Sequence, residues 1–169
     1  RYMTDENIKL MAHLMRRAGF GASRDELERR VAVGYEATVE ELLNPESQEP
    51  VDYYEFLRYY PNWWKPGTMG GRGHAGWVWR MINTQAPLQE KLTLFYHQLF
   101  ATGVSKVDHY DEIEDMLDMF REKGMGQYKT ILMEIARSPA MIFWLDNHEN
   151  HATSVNENWG RELLELFTM

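Results

Sequence analysis

The chain has 169 residues, room for one domain, with 44% hydrophobic and 13% aromatic residues, so it can bury a core and is too rich in rings for a disordered polymer. Its formal net charge of -8 speaks against nucleic acid as a partner, and the absence of cysteine excludes disulfides, thiolate metal sites and cysteine nucleophiles. No apolar run approaches the roughly 18 residues of a membrane span.

Helical signals follow one another from the start. Thr4 can cap a first helix whose first turn carries Asp5 and Glu6, and Ile8, Met11, Leu14 and Met15 form its buried stripe. Gly19 or Gly21 ends it. Ser23 and Glu26 have the spacing of a capping box, with Leu27 and Val31 inward and Gly34 as the stop. The paired Arg16-Arg17 and Arg29-Arg30 fit solvated faces. A third helix is expected over 35–43, with Val39, Leu42 and Leu43 inside and Asn44-Pro45 beyond it. Residues 52–60 favour helix on Tyr53, Phe56, Leu57 and Tyr60.

The stretch 61–73, PNWWKPGTMGGRG, is expected to be irregular, with Trp63 and Trp64 pinning it to the core or offering a binding surface. Its glycines lack the spacing of a phosphate cradle. Helix resumes over 74–84 with Trp77, Val78 and Met81 facing in. Pro87 suits the first position of a long helix to residue 101, with Leu88, Leu92, Phe95 and Leu99 as its buried stripe. Helices over 108–123, 127–137 and 139–145 follow, on Ile113, Met116, Leu117 and Phe120, then Ile131, Leu132 and Ile135. Ser154 and Glu157 repeat the capping-box spacing, and the last helix faces inward on Trp159, Leu163, Leu166 and Phe167. The fold class is therefore all-α, a multi-helix orthogonal bundle of seven to nine helices in a single domain over 1–169.

Two places could carry chemistry. Glu90 and His97 are seven residues apart on one helix side, next to the apolar stripe. A histidine with a carboxylate within two turns can shuttle a proton or ligate a metal; equally, each can bond a neighbouring helix or a surface cation. The second place is 146–165, which gathers Asp146, Asn147, Asn156, Glu157, Arg161 and Glu162. Oxygen donors of this kind suit a cation, yet neither a calcium-loop spacing nor HExxH is present: His148 and His151 are one residue too close. No metal site is assigned and no cofactor is indicated. Glu157 also fits a cap, Arg161 and Glu165 a surface pair, and Arg161 and Glu162 a buried ion pair between helices.

At these residues the chain resembles a bacterial family catalogued as domain of unknown function 1800. The blocks HLMRRAGFGAS (13–23), PLQEKLTLFYHQLFATG (87–103), SPAMIFWLDN (138–147) and NENWGRELLELFTM (156–169) occur in the family's order and span nearly the whole chain. The resemblance implies an exported protein, and this chain as the N-terminal part of a longer one. It implies no activity. Two departures stand out: Leu99 where relatives often carry a second histidine, and Gly160 where they usually carry alanine. A close approach to the backbone is the expected reason for the glycine.

Two functions are weighed beside the blander possibility that these blocks simply hold the helices together. One is an exported binding or assembly subunit working with other protein subunits, suggested by the surplus of Trp, Tyr and Met. The other is an enzyme whose polar site lies between the His97 helix and 146–162, with His97, Glu157, Arg161 and Glu162 as catalytic candidates and Asp146, Asn147, Asn156, Trp63 and Trp64 as binding ones.

Overall fold

A computed structural model describes residues 5–59, 69–107 and 109–168; of Tyr53 and residues 69–72 it describes the backbone alone. Among the described residues every regular element is helical, so the all-α reading holds. The helices are α1 (Asp5–Arg17), α2 (Arg24–Val33), α3 (Tyr35–Leu43), α4 (Tyr53–Tyr59), α5 (Met69–Asn83), α6 (Pro87–Leu99), α7 (Tyr110–Lys123), α8 (Tyr128–Ile135), α9 (Pro139–Trp144) and α10 (Asn158–Glu162). Trp63 and Trp64 lie outside the described residues. The chain divides into two compact units, the first 1–63 with 74–91, the second 64–73 with 92–169.

In the first unit, Ile8, Met11, Met15, Leu27 and Leu42 form the core, with Leu14, Val31 and Leu88 packed against it. Ser23 caps α2 by accepting the Glu26 N–H at 3.3 Å, but the Glu26 carboxylate turns away to Arg30, so only half of the capping box forms. Gly34, at φ 118°, lets α2 stop and α3 start without a linker. Gly19 is needed for space rather than for dihedral freedom. A Cβ there would stand 2.9 Å from the Pro87 Cβ, so the missing side chain lets the chain after α1 touch the start of α6. Asp52 caps α4, its carboxylate accepting the Tyr54 N–H at 2.8 Å.

Four expectations need correction. α5 begins at Met69, so the glycine-rich run from residue 69 is helical rather than irregular. Once a helix is nucleated, each further residue adds a hydrogen bond, which offsets the roughly 1 kcal/mol that a glycine costs. Val78, expected inward, is exposed, and so is Leu43. Arg30, expected on a solvated face, is only 9% exposed: its guanidinium reaches Glu26 at 2.9 Å and Glu41 at 3.0 Å, and these two carboxylates offset its desolvation.

α6 departs furthest. Its buried row is Ala86, Glu90, Thr93, Tyr96 and Phe100, whereas Phe95 is 54% exposed and Leu92 and Leu99 are half-buried. Both rows have helical spacing. The burial of a carboxylate decides between them, and a partner elsewhere in the chain makes that burial tolerable.

The second unit is built around rings. Tyr96 stacks on Phe120 at 5.6 Å between centroids, Phe100 on Phe120 at 5.9 Å, and Phe167 meets Phe100 edge-on at 4.8 Å. Offset and edge-on pairs of this kind each add about 0.5–1.5 kcal/mol to the area they bury. α7 supplies Ile113, Met116, Leu117 and Phe120 as its spacing predicts, and α8 supplies Ile131 and Ile135. Burial pushes the Tyr96 and Tyr128 hydroxyls above the usual tyrosine range. Tyr128 donates to the Phe167 carbonyl at 2.5 Å. That bond secures a π-helical turn, Leu163–Phe167, which follows α10. The wider π spacing carries the inward row from Trp159 through Leu163 to Phe167 and leaves Leu166, expected inside, exposed.

Candidate functional site

The polar segment after α9 is organised by its own side chains. α9 ends at Trp144, and Asp146 adopts the left-handed conformation, φ 59°, that a side chain seldom takes. Lys106 approaches from the loop after α6. Its ammonium donates to the Trp144 carbonyl at 2.7 Å and to the Asp146 carboxylate at 2.7 Å. One cation therefore satisfies a helix-end carbonyl and holds the unusual turn in place.

Asn156 works on the same turn. Its amide N–H group donates to the Leu145 carbonyl at 3.2 Å and the Asp146 carbonyl at 3.0 Å, while its oxygen accepts the Asn158 N–H at 2.8 Å. Asn158 adds a bond to the Leu145 carbonyl at 3.0 Å and accepts one from Arg161 at 2.8 Å. The result is a polar junction joining the end of α9 to the start of α10. The capping box expected at Ser154 and Glu157 is not formed. Ser154 exchanges backbone bonds with His151, α10 starts at Asn158, and Glu157 makes no side-chain cap. The asparagine two residues before the helix takes the capping role because its amide can donate backwards and accept forwards together.

Each candidate now has a place. Asp146 and Asn156 are structural members of the junction. Asn147 begins a short 3₁₀ turn, Asn147–Glu149, and is half-buried. Glu157 is exposed, Glu162 half-buried. Arg161 bonds Asn158 rather than forming a buried pair with Glu162. His97 is half-buried on α6 and engaged with a neighbour. His148 lies against the Phe143 ring, 4.6 Å between centroids. Among the described residues no cluster of three or more His, Cys, Asp and Glu could hold a metal. Two clefts are lined by described residues of the first unit, and neither is bordered by any of these candidates.

Glu90 has a definite role in the first unit. It is fully buried, accepts the Trp77 indole N–H at 3.1 Å and faces the Arg80 guanidinium at 3.6 Å. Glu90 therefore ties α6 to α5. Lys106 is a residue that sequence alone does not single out, because a lone lysine in a loop carries no pattern.

Gly160 overturns another expectation. A Cβ there would meet nothing within 4 Å, so no close approach among the described residues explains the glycine. Gly160→Ala is expected to raise stability by about 0.5–1 kcal/mol, the ordinary helix-interior difference, as read by urea unfolding.

Among the described residues, ten helices and a polar junction that binds its own backbone define an all-α protein. The chain belongs to the family described as protein of unknown function (DUF1800), whose model matches residues 13–169. No curated protein and no solved structure matches the chain. Among the described residues no helix is long and apolar enough to cross a membrane.

Proposed function

We propose that this chain is a binding or assembly subunit of an exported bacterial protein, docking other protein subunits through apolar side chains that its own helices leave outside. The observation that carries the reading is on α5. Val78 and Ile82, one turn apart, are 53% and 74% exposed. Single exposed apolar residues are ordinary on any surface, whereas branched aliphatic neighbours on one helix row begin a contiguous patch. Tyr54 and Tyr59 of the same unit are exposed as well, and tyrosine is enriched where proteins meet.

Two of the polar candidates, Asp146 and Asn156, are engaged with Lys106 and with backbone carbonyls rather than left free for a substrate. Export rests on the family resemblance.

Replacing Val78 and Ile82 together by Asp tests the reading. Both side chains are exposed, so stability should change by no more than about 0.5 kcal/mol per site. Light scattering of the purified assembly should show its mass falling to that of its separate subunits. A doubly substituted protein that keeps the full assembly mass would remove this surface from the account.

A further inference from the structure

We infer that the cleft between α2 and the α5–α6 turn in the first unit is an oxyanion site, taking a small carboxylate or phosphate through Arg29 and Arg30. The cleft measures about 220 Å³ and is lined by Phe20, Arg29, Arg30, Ile82, Thr84 and Gln85, among others. The inference does not rest on the assembly reading, since it concerns a small ligand and the guanidinium groups of α2; Ile82 borders the cleft as well as belonging to the exposed row of α5.

Arg30 is the fixed element. Its Nε donates to Glu26 at 2.9 Å and its Nη1 to Glu41 at 3.0 Å. A guanidinium carries five N–H donors in a rigid plane, and these two bonds leave both hydrogens of Nη2 unused. The residue is already 91% buried and its orientation is set by two carboxylates on different helices, so binding a ligand costs little further ordering.

Arg29 is the deciding element. Arg30 with Glu26 and Glu41 sums to one negative charge, so that triad alone would repel an anion. Arg29, next in sequence and exposed, has neither ion pair nor hydrogen bond among the described residues. Its charge brings that sum to zero at the mouth of the cleft. Lys91 adds a second cation, held 5.2 Å from the centroid of the Phe20 ring that lines the wall. Thr84 accepts the Ala86 N–H with its oxygen at 3.0 Å, which leaves its hydroxyl hydrogen to donate. Planar, forked donors of this kind match the paired oxygens of carboxylate and phosphate.

The test is a calorimetric titration of the purified protein with inorganic phosphate and, separately, with succinate, at constant ionic strength. Saturable binding of either at about 1 mM or tighter is expected, a modest affinity for one or two charge-assisted contacts. The arm that binds more tightly identifies the class of oxyanion. Arg29→Ala should weaken it at least tenfold and Arg29→Lys less, since lysine keeps the charge and loses the fork. Arg17→Ala, a cation on α1 outside the cleft lining, should leave it unchanged. No saturable binding of either anion overturns the inference, as does binding that Arg29→Ala leaves intact.

Discussion

Glu90→Ala should cost about 3 kcal/mol, read as a loss of stability in urea unfolding. Removing one partner of a buried ion pair costs about 3–5 kcal/mol, and the lower end applies because Arg80 keeps some contact with water. The substitution also strands the Trp77 indole N–H, a donor whose bond to Glu90 spans 3.1 Å. Glu90→Gln separates the two contributions. Its amide oxygen can still accept from Trp77 while the charge facing Arg80 is gone, so about 1 kcal/mol should be lost. If Glu90→Ala changes stability no more than a typical surface substitution, about 0.5 kcal/mol, then Glu90 does not join α5 to α6 as described.

Asn156→Ala should cost about 2 kcal/mol, and amide exchange over 146–158 should accelerate with it. Three hydrogen bonds disappear together, two to the carbonyls of Leu145 and Asp146 and one from the Asn158 N–H. Each contributes about 0.5–1.5 kcal/mol, and Asn158 still covers the Leu145 carbonyl, which limits the loss. The companion substitutions make the test sharp. Glu157→Ala and Ser154→Ala remove the residues that the capping-box spacing favours, and each should stay within about 0.5 kcal/mol because neither side chain caps α10. A loss at Glu157 equal to that at Asn156 would restore the capping box and contradict the geometry.

The sequence predicts where helices lie better than which way they face. α1 and α7 are local matters: their apolar residues recur at three and four, their neighbours are glycine or polar turns, and the buried rows follow. α6 shows where that logic stops. Two rows of equal helical spacing compete, and pattern alone chooses Leu92 and Phe95 over Glu90 and Thr93. The choice is made by Trp77 and Arg80, ten or more residues away, whose position is not written in α6. The π turn is a second case. Its spacing comes from Phe167 packing on Phe100 and from the Tyr128 bond, both long-range, so a periodicity of 3.6 places Leu166 on the wrong side.

The candidate site was legible as composition and not as connection. Asp146, Asn156 and Arg161 stand out in the sequence as a polar cluster, and the fold does bring Asp146 and Asn156 to one turn. Their common use is structural, and it depends on Lys106, forty residues before Asp146, which has no pattern to announce it. Arg30 failed in the opposite sense. An arginine beside another in an amphipathic helix reads as solvated, and only Glu41 on the next helix makes its burial tolerable.

If the chain works by engaging other protein, as proposed, native mass spectrometry of the untagged protein from its source should show a stoichiometric complex with other protein chains, dispersed by the Val78 and Ile82 substitutions. A protein that flies alone, at the mass of its own polypeptide with or without a small ligand, would contradict it.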